Sequence, residues 1–402
     1  MRDSGPGFRC APSGLQNGHQ MDFGWPSDIA ERIAAARQFA EAKLAAHAAD
    51  GFDHAGWRAV ADFGLIDFAL PQAWGGRNGG ALVTAALLEA LGRGGADRGL
   101  LFAIGAHLFG CAMPLATYGS PAQAERWKHA LGSGAAIGAL AITEATGGSS
   151  LDGIATEARE GSGGYVLNGE KTLIANAPVA GLFLVLARQS HRPGPFGLTA
   201  FLVPRDTAGL KIAPIASGRG LAGAPLGHVR LQECALGADA VVGRPGAGLK
   251  IFATAMQWER SCLLAGFLGA AERDLAACTE ALRHRHDGAG SLLRHQGVSH
   301  RLARMKLRLE SARLLVYRAA WSLDQGHEDY AAAATAKLAA SEAVVDTATD
   351  ALRLVAGSAW LDSALDFRAT LTDVAGSLFA SGTSEVQLDV LARDLQSEHR
   401  RT

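Results

Sequence analysis

The chain has 402 residues, 48% of them hydrophobic, enough to fill one large core or two to three smaller ones. Its 38 Lys and Arg balance 39 Asp and Glu, so nothing marks it as a binder of nucleic acid. No apolar run reaches the roughly 18 residues of a membrane span, and the five cysteines (Cys10, Cys111, Cys234, Cys262 and Cys278) make no CxxC pair and no metal-ligand spacing. These features predict a reduced, cytoplasmic protein with no metal and no membrane contact.

Residues 1–20 lack an apolar signal core and are rich in Gly, Pro and polar residues, so a loose tail is expected, with Met21 opening the folded part. From 21 to 136 the pattern is Ala/Leu-rich and helical. Ser27 or Asp28 is expected to cap a first helix carrying Ile29, Ile33, Ala36 and Ala40 on one stripe. From 137 to 246 the pattern turns to short strands. "GYVLNGEKTLIANA" (164–177) reads as a hairpin turning at Asn168-Gly169, because Asn-Gly suits a type I′ turn. Residues 182–188, 198–204, 210–215 and 228–236 add further strands of a small antiparallel barrel or sandwich. From 247 to 402 helical spacing returns in four segments, 248–283, 296–325, 328–357 and 372–395, the count of a helical bundle.

Three stretches, "AITEATGGSS" (141–150), "GYVLNGEKTLIANA" (164–177) and "SGTSEVQLDVLAR" (381–393), together resemble the acyl-CoA dehydrogenase superfamily. The resemblance runs over nearly the whole chain from Met21. It implies an N-terminal all-α domain, a middle β-domain and a C-terminal four-helix bundle. It further implies FAD between β-domain and bundle, with part of that site supplied by a second subunit of a homodimer or homotetramer. The implied reaction is α,β-desaturation of an acyl thioester, with a carboxylate taking the α-proton and flavin N5 the β-hydride.

The resemblance carries over residue by residue. Thr143 and Ser149 match a Thr and a Ser that hydrogen-bond the isoalloxazine and the pyrophosphate, and Gly148 lies in a Gly-rich turn whose N–H groups suit a phosphate. "KTLIAN" (171–176) departs from the family pattern twice. Leu173 replaces a flavin-packing Trp, and Ala175 replaces a Thr whose hydroxyl reaches N5. The part expected across the subunit interface falls on Arg285, followed by Gly288-Ala289 where Phe-Gly is usual, and on Gln296, Arg353 and Gly357. Thr372-Asp373 stands for Arg-Asp, while Gly382, Thr383 and Gln387 keep the family's spacing.

The usual base position holds Ser381, whose side chain cannot deprotonate a carbon unaided; its backbone N–H can still polarise the thioester carbonyl. Some relatives carry the carboxylate on the first bundle helix, where "MQWERSCLLAG" (256–266) places Glu259. At 100° per residue Phe252, Met256, Glu259, Leu263 and Phe267 fall within an arc of about 80°. Burial on that stripe would raise the carboxyl pKa and make Glu259 a competent base; the competing reading is a structural ion pair with Arg260 or with a neighbouring helix. "HRHD" (284–287) is a weak metal candidate, and His107 and His228 read as structural. "DRGLLFAIGAHLFG" (97–110) and "WERSCLLA" are similar to a subgroup from polyketide and nonribosomal peptide pathways. The expected substrate is thus an acyl or aminoacyl thioester on CoA or a carrier protein, with a flavoprotein or oxygen as electron acceptor. A monooxygenase or oxidase on the same fold, and a non-catalytic relative, are the alternatives.

Overall fold

A computed structural model describes residues 24–45, 51–190, 194–215, 220–288, 290–361, 365 and 367–398. The expected tail, Met21, Cys10 and Ala289 lie outside the described residues.

The N-terminal helices are α1 (Ser27–Lys43), α2 (His54–Phe63), α3 (Ala81–Arg93), α4 (Arg98–Gly105), α5 (Met113–Tyr118) and α6 (Pro121–Gly132). Ala36 and Ala40 of α1 are fully buried, as the stripe predicts. The cap differs from expectation: Pro26 occupies that position and no side chain caps the helix. Between α4 and α5 the chain stays helical through a π-helical segment, Ala106–Ala112. Pro114, just beyond it, has no N–H to continue the i→i−4 ladder, and a widened turn accommodates that gap. The resulting rod, Arg98–Tyr118, meets the length and hydropathy of a membrane span, contrary to the sequence reading. Its apolar window is 89% buried inside the protein, so the rod is a core helix.

The middle domain is a seven-stranded curled sheet of β1 (Gly138–Ala141), β2 (Glu157–Gly161), β3 (Gly164–Ala175), β4 (Leu182–Gln189), β5 (Leu198–Pro204), β6 (Leu210–Pro214) and β7 (Leu226–Gly237). Its order is β1-β4-β2-β3-β7-β6, with β5 also on β4. Most pairings are antiparallel, whereas β1 and β2 both lie parallel to β4. The hairpin expected at Asn168-Gly169 does not form. The two-residue turn falls at Ser162-Gly163, and β3 runs on as one strand paired with β7. Asn168 instead sits at an irregularity of the β3–β7 ladder. Its side chain accepts from Glu233 N at 2.8 Å and donates to Glu233 Oε1 at 2.6 Å. A cross-strand partner for the Asn side chain thus overrides its local turn preference.

The C-terminal helices are α7 (Gly248–Cys262), α8 (Ala265–His284), α9 (Gln296–Asp324), α10 (Tyr330–Val355), α11 (Phe367–Ala375) and α12 (Ser384–Glu398). The segment read as 248–283 is two helices parted at Leu263 and Leu264, residues whose types give no break signal. The segment read as 372–395 is also two helices, because Ser381 (φ 57°) and Gly382 (φ 97°) are both left-handed and end the helical path. One apolar core joins the N-terminal helices to the bundle. Helices α3 and α8 cross at backbone contact: a Cβ on Gly92 would sit 2.0 Å from Gly266 O, and one on Gly269 2.0 Å from Glu89 O. Beside the crossing, buried Glu89 accepts from Arg313 Nε (2.6 Å) and Tyr317 OH (2.7 Å), locking α3 to α9.

Candidate active site

Glu259 leaves α7 toward the π-helical segment. Trp258, one residue earlier, stacks on Phe109 of that segment at 5.8 Å and 15°. A Cβ on Gly110 would sit 2.9 Å from Glu259 Oε1 and 3.2 Å from Leu140 Cβ, so only glycine leaves room for the carboxylate there. The other oxygen, Oε2, accepts a hydrogen bond of 2.6 Å from Ser381 Oγ. Part of the Glu259 side chain still meets solvent, yet protein surrounds its carboxyl closely. Burial pushes the carboxyl up to about 7, against the opposing pull of the Ser381 hydroxyl and the nearby Arg260 charge. A carboxyl poised there can take and return a proton at neutral pH.

The expected alternative, an ion pair between Glu259 and Arg260, is not formed. Arg260 Nε instead donates to Ser381 O at 3.0 Å. Gln387, fully buried on α12, donates to the carbonyls of Ser381 (3.3 Å), Gly382 (3.1 Å) and Thr383 (3.3 Å). Thr383 Oγ1 accepts from Val386 N at 3.3 Å and so starts α12. Buried Lys337 of α10 donates to Leu378 O at 2.9 Å; burial and the Arg260 charge bring its pKa down to about 8. These bonds hold Ser381 in a left-handed conformation that costs a non-glycine residue about 1–3 kcal/mol.

The two β-domain motifs meet across a short span. Thr172 N donates to Thr143 O at 2.8 Å. Buried Lys171 donates to Ile142 O (3.0 Å) and Glu144 Oε1 (2.8 Å). Glu144 also accepts from Ala155 N (2.7 Å), Thr156 N (2.9 Å) and Thr156 Oγ1 (2.5 Å). Despite its burial, these donors and the Lys171 charge hold its carboxyl down at about 2. Gly148 packs on Thr143, since a Cβ there would lie 3.0 Å from Thr143 Cγ2, and Ser149 is exposed on the same turn. A register shift in β3 between Lys171 and Ile174 puts Leu173 at φ 56° with 55% of its surface exposed, beside half-buried Ala175. An apolar side chain held outward on a strained backbone, next to a Gly-rich turn of free edge, suits the ring and phosphates of a flavin nucleotide.

Arg285, Gln296, Arg353 and Gly357 gather elsewhere, at the end of the bundle where α8 and α10 finish and α9 begins. Arg285 donates to Val355 O at 2.9 Å and so binds the C-terminal carbonyls of α10. Gln296, Arg353 and Gly357 are exposed. Lys337, beside the Ser381 loop, and Val355 are separated by about five turns of α10, or roughly 27 Å. One chain therefore does not bring this group to Glu259. Asp373 Oδ1 accepts from Leu221 N at 2.7 Å and ties α11 to the β-domain.

His107 is buried, accepts from Gly138 N at 2.8 Å and contacts Leu131 O at 3.2 Å; burial pushes its pKa down to about 4, a structural, neutral imidazole. His284 and Asp287 of "HRHD" are taken up by Glu280 and His295. Sequence reasoning did not single out Gly110 or the Glu144–Lys171 pair. The signals were a glycine four residues before Pro114 in an apolar run, and single charges in the otherwise uncharged stretches 141–150 and 171–176.

Profiles of the acyl-CoA dehydrogenase N-terminal, middle and C-terminal domains match residues 28–135, 139–234 and 246–396. The chain belongs to the acyl-CoA dehydrogenase family. It is therefore a flavin-dependent oxidoreductase that uses FAD to desaturate thioesters, as its motifs imply. An "L-prolyl-[peptidyl-carrier protein] dehydrogenase" of Pseudomonas fluorescens is 36% identical over 94% of this chain and 100% of its own length. The solved structure "PigA with FAD and proline" matches with a TM-score of 0.90 and 33% identity over 94% of this chain and 99% of that one. The "Prolyl Acyl Carrier Protein Oxidase AnaB" matches with a TM-score of 0.88 and 32% identity over 92% and 100%.

Proposed function

We propose that this family member oxidises an aminoacyl thioester, L-prolyl on a carrier protein foremost, with Glu259 as the base that removes the α-proton. The observation that carries this reading is the Glu259 carboxylate, seated between Gly110 and Ser381 with its pKa brought up to about 7. Bound FAD would accept the β-hydride. Leu173, Ala175, Thr143, Gly148 and Ser149 would hold its ring and phosphates, Thr383 and Gln387 would hold the loop facing it, and the backbone N–H of Ser381 would polarise the thioester carbonyl. The Arg285, Gln296, Arg353 and Gly357 group, so far from Glu259, would serve the cofactor of a second copy in a cytoplasmic homo-oligomer. The presence of a carboxylate favours proton abstraction over oxygenation. Similarity to the prolyl carrier-protein enzymes favours the carrier over CoA.

The test is anaerobic bleaching of the bound flavin. Prolyl carrier protein is expected to reduce it at least tenfold faster than butyryl-CoA, and the reverse order would sink the substrate assignment. Because only the ionised base accepts a proton, the rate should rise with pH through about 7. Gly110→Ala tests the seat of the carboxylate. The added methyl meets Glu259 Oε1 at 2.9 Å and Leu140 Cβ at 3.2 Å, so the carboxylate is pushed aside and β1 must give by a few tenths of an ångström. Fold stability should fall by about 1–3 kcal/mol, the cost of an added methyl in a packed site, while flavin reduction slows about tenfold to a hundredfold through misplacement of the base. Unchanged reduction kinetics would count against this seat.

A further inference from the structure

The serine that stands where relatives place their carboxylate is not a passive filler. We propose that the Ser381 hydroxyl is a positioning residue for Glu259: it fixes the carboxylate rotamer and stabilises its ionised form. This rests on Glu259 being the base, and extends that reading to a side chain that acts through the carboxylate rather than on the substrate.

Three observations carry it. The hydroxyl donates to Oε2 at 2.6 Å, and it is the one hydrogen bond recorded for the Glu259 carboxylate among the described residues. The opposite oxygen faces Gly110, which offers space but no donor. Ser381 itself is pinned by Arg260 and Gln387 through its carbonyl, in a left-handed conformation that glycine or asparagine would adopt more readily. The loop thus holds a strained backbone whose product is one hydroxyl aimed at one carboxylate oxygen. A short donor to a carboxylate favours its charged form, which works against the burial that raises its pKa.

The charged groups around the site do not replace this bond. Arg260, on the same helix, directs its Nε to Ser381 O. Lys337 of α10 reaches Leu378 O, and Glu385 of α12 acts on Lys337. His107 of the π-helical segment is neutral and bound to Gly138 N. Leu140 of β1 brings no charge.

Ser381→Gly removes the hydroxyl and relieves the left-handed backbone, so loss of folding does not confound the outcome. Two readouts on the FAD-loaded enzyme decide it. The first is the infrared C=O band of the protonated carboxyl, titrated from pH 5 to 9 with Glu259→Gln as the blank. Its midpoint is expected to rise by about one pH unit in Ser381→Gly. The second is the pH profile of anaerobic flavin reduction by prolyl carrier protein, whose acidic limb should move up by the same amount. An identical carboxyl midpoint with and without the hydroxyl overturns the proposal. If instead Glu259→Gln reduces its flavin normally, the base assignment itself is wrong, so the two failures are told apart.

Discussion

Glu259→Gln is expected to slow anaerobic flavin reduction by about 10²–10⁴-fold while the protein keeps its yellow cofactor. The amide has nearly the shape of the carboxyl and can still accept from Ser381 Oγ, so the seat survives and only the proton acceptor is lost. The same change should stabilise the fold, with a definite pH dependence. The folded-state pKa lies above the ordinary carboxyl value of 4.5, at about 7. The folded protein therefore holds this proton more tightly than the unfolded chain between those limits. Its stability is highest below about 4.5 and falls as pH rises through 7, where the buried group must ionise. The glutamine variant escapes that loss. Thermal melts at pH 8 should show it more stable than the unaltered protein by about 1–3 kcal/mol, the lower end reflecting the solvent that still reaches the side chain. The gap should close near pH 4.5. A variant that is both active and no more stable at pH 8 would contradict the assignment twice. Such an exchange of stability for activity is the expected mark of a residue kept for chemistry.

Lys171→Met should be the most damaging single change in the β-domain. Lys171 is fully buried and Glu144 is 7% exposed, so removing the cation leaves a carboxylate in a dry site with its charge uncompensated. Breaking such a pair costs about 3–5 kcal/mol. Urea unfolding would read this, and gel filtration should show FAD lost from the folded fraction, because Glu144 also anchors Ala155 and Thr156 behind the Thr143–Ser149 turn. The pH sign is opposite to that at Glu259. Glu144 has its pKa depressed to about 2, so the pair stabilises the fold above about 4.5 and the benefit is lost as pH falls toward 2. Glu144→Gln combined with Lys171→Met should cost less than the sum of the single changes, since the stranded charge is gone. Additive costs would mean that the two residues act independently.

Much of the site was legible because its parts lie on straight pieces of chain. Glu259 stood out as a lone acid on an apolar stripe, and counting at 100° per residue works along α7 because the helix is regular as far as Cys262. The order of helical, β and helical regions followed from a change of period alone. What escaped depends on contacts between distant residues. The Ser381–Glu259 bond spans 122 positions, and no local pattern announces it. Asn168-Gly169 carries a strong turn signal, but Glu233 across the sheet takes up the Asn side chain. The rod Arg98–Tyr118 read as ordinary apolar text, because a widened turn changes hydrogen-bond partners without changing residue types. The break at Leu263–Leu264 is equally silent in composition.

That widened turn behaves as a phase shifter. Before it, Ala103 O receives Asn176 Nδ2 from the sheet; after it, Tyr118 OH meets Thr254 Oγ1 of α7. The extra backbone unit sets the angle between those two attachments. Removing one residue from 106–112 would turn one end against the other by about 100°. The wedge-free face at Gly110 would then rotate off Glu259, leaving a more regular rod and a misaligned reaction centre.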